Sequence, residues 1–164
     1  MLIFVMSSAL AAGLPTPPGE MPVTPYTQAD ANAGAVPFHG DAMWRAFHGA
    51  EGVARVVDTT IDRSVADKRI SDIFKGQDIV RLRRLLREQF CYILNGGCAY
   101  SGRTMAEAHK NMGIQTADFS ALVEHLQAAM RAEHVDFRAQ NRLLAKLAPM
   151  KPDVQKRFKA TQPL

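Results

Sequence analysis

The sequence predicts an all-α domain, and three observations predict it. Residues 38–148 contain no proline and are broken only by glycines, which suits helices joined by short turns. Apolar residues in that stretch recur at helical spacing: Phe119, Leu122, Val123, Leu126, Ala129 and Met130 fall at i, i+3, i+4, i+7, i+10 and i+11. No segment shows the strict apolar–polar alternation of a half-buried strand.

The elements follow in order. A short helix with Asp41 as N-cap runs through Trp44 and Phe47. Glu51–Ala66 carries Val53, Val56, Val57, Ile61 and Val65 near helical spacing, and Ile70, Ile73 and Phe74 make a short turn. Asp78 caps a helix whose apolar positions are Ile79, Leu82, Leu85, Leu86, Phe90, Ile93 and Leu94, and Asn95-Gly96-Gly97 ends it. Thr104–Lys110 is a short helix ending near Gly113. Thr116 opens the periodic helix described above, and a last helix spans 136–157 with Leu143, Leu144, Leu147, Ala148 and Val154 inward.

With 164 residues there is room for one domain with a real core. Six of nine prolines lie between Pro15 and Pro37. The expected organisation is an apolar leader at 1–12, a Pro/Ala-rich flexible linker at 13–40, the domain at 41–158 and a tail at 159–164. Met1–Ala12 is a short apolar run followed by small residues, including Ala9-Leu10-Ala11, and reads as an export signal to the periplasm. A bilayer span needs about 20 apolar residues, so the run is too short for one. It lacks a basic start: either the true start lies upstream, or the run is a weak N-terminal extension and the protein is cytoplasmic.

Charge is uneven. Residues 1–44 have no Lys or Arg, so all 20 basic side chains face 13 of the 16 acids in the remainder. No basic cluster is interleaved with aromatics as single-strand binders require, and the excess reads as a solvated surface, without nucleic acid as a partner. Cys91 and Cys98 have two readings: a disulfide across the helix end, where the glycines let the chain fold back, or one buried and one loop thiol.

No nucleophile-and-base set, phosphate-cradling loop, HExxH or paired CxxC occurs. The unusual histidine is His109, on a very short helix just before Met112-Gly113-Ile114. Spacing alone makes it a structural residue more readily than a ligand.

A longer pattern surrounds it. Ala50-Glu51-Gly52 leads to Val56-Val57-Asp58, then come Ala66-Asp67, Ile73-Phe74, Arg81-Leu82 and Gly96-Gly97. Tyr100-Ser101-Gly102-Arg103, Met105, Ala108-His109, Met112-Gly113-Ile114, Phe119 and Val123-Glu124-His125-Leu126 follow. From about Trp44 to Val154 the chain resembles the group I truncated haemoglobins. The glycine pair before Cys98 stands one residue from its common place, and the first helix lacks the family's usual paired glycines.

The resemblance implies a two-over-two helical sandwich holding haem b. It makes His109 the proximal iron ligand and Phe74 the ring that packs on the porphyrin. Leu82, Leu86 and Phe90 then face the distal side, and Met105, Ala108, Ile114, Phe119, Leu122 and Leu126 close the pocket. Arg103 is either a partner for a haem propionate or a surface arginine. The positions where many members carry a distal tyrosine and glutamine are Ile61 and Leu86, so no hydrogen-bond donor is expected there. His125, on another helix, is not expected to replace it, and Thr60 points elsewhere.

A donor to a polar O2 ligand contributes about 1–3 kcal/mol, and its lack speeds O2 loss by about tenfold to a hundredfold. CO, which develops less charge, suffers less. The function implied is a binder of O2, CO or NO with weak O2 retention and easy oxidation to ferric haem, with oxygen transport among its roles. The alternatives are a haem-dependent redox or NO-detoxifying enzyme, electron transfer through a six-coordinate haem, and a haem-free helical interaction module. A monomer or weak dimer, with an unidentified reductase, completes the expectation.

Overall fold

The computed structural model describes residues 15–155, so the leader at 1–12 and the tail at 159–164 lie outside the described residues. Helix α1 is Ala42–Ala46 and α2 is Gly49–Ala66; a 3-10 turn at Ser71–Phe74 leads to α3, Ile79–Ile93. Then come α4 at Met105–Ala108, α5 at Thr116–Ala132, α6 at Phe137–Leu147 and α7 at Lys151–Val154. The described residues contain helices and no strand.

Helix α2 is the central element because its apolar stripe is long enough to serve two neighbours, and it packs on both α3 and α5. Val53, Val56, Val57 and Ile61 of α2 are sealed against Ile93 and Leu94, against Leu126, Ala129 and Met130 of α5, and against Leu143 of α6. Each such side chain contributes about 1.5–3 kcal/mol of burial. The polar groups of this core bond within it: Thr60 donates to the Val56 carbonyl at 2.7 Å, and Ser64 to the Thr60 carbonyl at 2.7 Å.

The caps explain most boundaries. Asp78 accepts the Arg81 amide at the start of α3, and Asp136 accepts the Ala139 amide at the start of α6. Asp41 does not cap α1 through its side chain; its carboxylate pairs with Arg45 instead. The final helix expected over 136–157 is broken. A 3-10 turn at Ala148–Met150 separates α6 from α7, because Pro149 and Pro152 lack the amide needed to carry an α-helical ladder through.

At the end of α3 the chain turns back through Asn95, at φ 63°, and Gly97, at φ 82°, and Cys91 and Cys98 form a disulfide. The turn is tight: a Cβ on Gly96 would lie 2.7 Å from the Trp44 ring and 2.8 Å from the Cys91 sulfur.

Residues 15–40, expected to be a flexible spacer, instead lie against the helices. Ala33, in a 3-10 turn at Asp30–Ala33, is fully buried. The Phe38 amide donates to the Ile93 carbonyl at 2.8 Å, and Phe38 lies beneath the Arg142 and Lys146 cations of α6.

Candidate functional site

A cavity of about 470 Å3 opens between α2, α3, the 105–114 segment and α5, with apolar side chains forming most of its wall. Ile61 reaches it from α2; Phe74 from the 3-10 turn; Leu82, Leu85 and Leu86 from α3. Met105, Ala108, His109, Met112 and Ile114 form the facing wall, and Phe119 and Leu122 of α5 close one side. Arg103 also lines it.

Of the thirteen residues singled out in the sequence, Phe90 and Leu126 do not line this cavity; both are buried in the core. The reason is helical geometry. Each i+4 step along a helix rotates by about 40° and rises about 6 Å. Phe90 therefore stands about 80° away from Leu82 and turns into the core, while Leu85 and Gln89 take the wall. Leu126 keeps to the face of Phe119 and Leu122 but stands about 6 Å beyond Leu122 along α5.

His109 ends α4, a helix of one turn closed at its start by a reciprocal cap between Thr104 and Glu107. Its Nδ1 lies 2.8 Å from the Met105 carbonyl oxygen. A carbonyl can only accept, so Nδ1 carries the proton and the Nε2 lone pair is left available. Burial holds the imidazole below its ordinary pKa, which keeps it neutral. A neutral, oriented imidazole in an apolar cavity is a metal-ligand arrangement.

Arg103 donates to the Thr24 carbonyl at 2.9 Å and stacks on the Tyr26 ring at 4.7 Å, so the N-terminal segment holds part of its guanidinium. The Tyr100 hydroxyl donates to the Arg103 carbonyl at 3.3 Å, and burial pushes that phenol up to about 12.

The other polar groups in the wall are mostly committed. The Tyr26 hydroxyl donates to the Ser101 carbonyl at 2.7 Å, and the Gln89 amide to the Ala33 carbonyl at 2.8 Å. Gln77 stands at the exposed turn before α3. His125 lies outside the cavity lining, its Nε2 at 2.9 Å from the Asp67 carboxylate, whose partner Arg69 holds it well below the usual carboxylate range.

The profile of the bacterial-like globin family matches residues 42–156, most of the chain and all of the helical body. The chain belongs to the bacterial-like globin family. This globin is 30% identical over 106 residues to the group 1 truncated hemoglobin GlbN of Mycolicibacterium paratuberculosis, an alignment covering 65% of this chain and 78% of that one. Among solved structures, the globin resembles the truncated hemoglobin of Tetrahymena pyriformis in its Fe(III) form, with a TM-score of 0.65 and 24% identity over 68% of this chain and 96% of that one. It also resembles the 2/2 hemoglobin of a Synechococcus strain, solved in the cyanomet state with covalently attached heme, at a TM-score of 0.64 and 21% identity over 69% and 97% of the two chains. The all-helical, two-over-two architecture expected from the sequence is thereby established.

The sequence reading missed the walls contributed by Met21, Pro22, Val23 and Tyr26, which the structure adds to the globin cavity. It also missed Ile70, Ile73 and Val154. Ile70 and Ile73 had a signal, since they share a turn with Phe74; the N-terminal residues had none, because no periodicity marks an irregular segment.

Proposed function

We propose that this globin holds haem b in the cavity, with His109 as the proximal ligand, and reversibly binds O2 and other diatomic gases, CO and NO among them. The observation that carries the reading is the His109 imidazole, which lines an apolar cavity with Nδ1 donating to the Met105 carbonyl and the Nε2 lone pair available. The cavity volume of about 470 Å3 falls within the range of cofactor and ligand sites. Bound there, haem supplies a reversible coordination position for a small gas.

The chain's own residues do the rest. Phe74 and Phe119 offer aromatic surface to a flat apolar ring, and Met105, Ala108, Ile114 and Leu122 exclude water from it. Arg103 keeps guanidinium hydrogens beyond the one given to Thr24 and serves as the partner for a propionate carboxylate. Burial keeps His109 neutral, so the Nε2 lone pair stays available at neutral pH.

Ile61, Leu82 and Leu86 bring no donor, and the nearby amide and hydroxyl groups of Gln89, Tyr26 and Tyr100 are given to backbone carbonyls. Weak O2 retention relative to CO follows, together with a role in which lasting O2 storage is not required. Proton-handling redox chemistry needs a polar group beside the ligand, and these three side chains offer none. Export to the periplasm is part of the same proposal, supported by the Cys91–Cys98 disulfide, a bond that persists in oxidising compartments.

The test is absorption spectroscopy of the full chain expressed with haem available. A stoichiometric Soret band that shifts with CO after reduction, and is lost in His109→Ala with helicity unchanged by circular dichroism, is the expected result. A folded chain that takes up no haem overturns the proposal. Fractionation and N-terminal sequencing of the mature protein test export.

A further inference from the structure

Residues 15–40 precede the segment matched by the globin family, yet they reach the cavity. They carry two acids and no Lys or Arg, and both acids are bound to the helical body. Asp30 accepts the Tyr100 amide at 2.8 Å. Glu20, whose side chain is 1% exposed, lies between two guanidinium groups of α3, accepting from Arg81 at 3.0 Å and from Arg84 at 2.9 Å.

The neighbouring backbone adds to this anchor: the Met21 amide donates to Asp78 at 2.6 Å and Arg81 donates to the Met21 carbonyl at 3.1 Å. A second anchor lies five residues on, where Arg103 holds Thr24 and Tyr26, and Tyr26 bonds to Ser101. Residues 20–26 thus bridge from α3, which supplies Leu82 and Leu86 to the cavity, to the loop that leads into His109. Met21, Pro22, Val23 and Tyr26 close the gap.

On the outer side of the same bridge lies a second cavity, of about 480 Å3, and it shares Val23, Tyr26 and Arg81 with the inner one. These shared side chains form the partition between the two. A buried carboxylate costs several kcal/mol to desolvate unless its partners are well placed, and removing one partner is strongly destabilising locally. Glu20 has such partners, and nothing in the gas-binding reading uses it. The Arg84 guanidinium holds its carboxyl below the usual range, so it is charged at neutral pH.

We propose that residues 20–26 are a latched wall of the ligand site: Glu20, pinned by Arg81 and Arg84, holds Met21–Tyr26 across the cavity, and this wall sets how fast haem and small apolar molecules enter and leave. The inference rests on the haem reading for its cofactor, while the wall itself is a feature of the protein alone. Val23 and Tyr26 are the side chains through which the outer cavity meets the inner one, so they determine what passes there.

The experiment compares the full chain with Glu20→Gln and with Glu51→Gln, a control at an exposed α2 position that pairs with Arg55 at 3.8 Å. Amide exchange of the 20–33 segment reads the latch directly. Haem transfer to an acceptor protein and CO rebinding after photolysis read the wall, and the entry rate of the apolar dye ANS into cofactor-free chain reads it without haem. Glu20→Gln is expected to speed exchange of the Met21 amide, haem loss and ANS entry by about tenfold or more, with the thermal midpoint of the helical body nearly that of the control. Unchanged exchange overturns the latch. Faster exchange with unchanged haem loss and ANS entry overturns the wall. A chain that takes no haem overturns the gas-binding reading alone, and ANS entry then decides the wall in either direction.

Discussion

A Cβ placed on Gly102 would stand 2.1 Å from the Tyr100 hydroxyl and 2.3 Å from the ring carbon that bears it. The glycine is there for room: Tyr100 folds back over it to reach the Arg103 carbonyl, and this sets the loop that leads into His109. Gly102→Ala should destabilise the chain by about 1–3 kcal/mol, measured by urea unfolding, since the Tyr100 ring it would meet is buried and leaves little to relax. At the ligand side, Leu86→Gln places an amide where the wall is now apolar. Under the haem proposal, O2 dissociation should slow by about tenfold to a hundredfold while CO dissociation changes little, read by stopped-flow replacement. Equal effects on the two gases would mean that position 86 does not face the ligand.

Among the elements, α3 carries the heaviest load. One face supplies Leu82, Leu85 and Leu86 to the cavity; another holds Glu20 of the N-terminal segment; its basic residues Arg83 and Arg87 pair with Asp58 of α2. Its far end is closed by the Cys91–Cys98 bond, and the Ser101 amide that follows is held by Glu88 at 2.9 Å. A disulfide across so short a loop stabilises by about 2–3 kcal/mol, mainly by restricting the unfolded chain. Reduction, or the paired Cys91→Ser and Cys98→Ser substitutions, should lower the unfolding free energy by that amount in denaturant titrations. No loss would show that the turn is held by Gly96 packing on Trp44 alone.

At the scale of the whole molecule, Glu133 ties the end of α5 to the start of α2. Its carboxylate is bridged by Arg55, at 2.8 Å to each oxygen, and contacted by His48 Nδ1 at 3.0 Å. The Arg55 guanidinium lowers its pKa from an ordinary 4.5 to about 2. The folded value is the depressed one, so the stabilisation is present in full above pH 4.5 and disappears as pH falls through the folded value toward 2. Glu133→Gln should lower the thermal midpoint at neutral pH and flatten its fall across that acid window, measured by circular dichroism melts at stepped pH. Parallel curves for the two proteins would assign the acid loss to other carboxylates, Asp58 and Asp78 among them.

The helical class and the order of the main helices were legible in the sequence, because apolar periodicity and side-chain capping are local properties written into consecutive residues; the eleven candidate residues that do line the cavity were marked by the family resemblance. The Val53–Ile61 stripe, the Asp78 cap and the glycines after Asn95 are read directly in this way. His109 became conspicuous only through resemblance to a family, since a histidine on a one-turn helix has no periodic signature of its own. Rotation along a helix decided that Phe90 belongs to the core, since a four-residue spacing drifts off a chosen face over two steps; distance along α5 decided the same for Leu126. Pro149 and Pro152 announced a break that apolar periodicity alone had bridged. The bonding of Cys91 to Cys98 was open in the sequence and depended on the reversal of the chain between them. Most of all, the sequence by itself determined that residues 15–40 are irregular, proline-rich and without a cation, and nothing more. Only the tertiary structure decided that they pack, because what holds them are pairings between residues some sixty positions apart, Glu20 with Arg81 and Arg84, which no local pattern encodes.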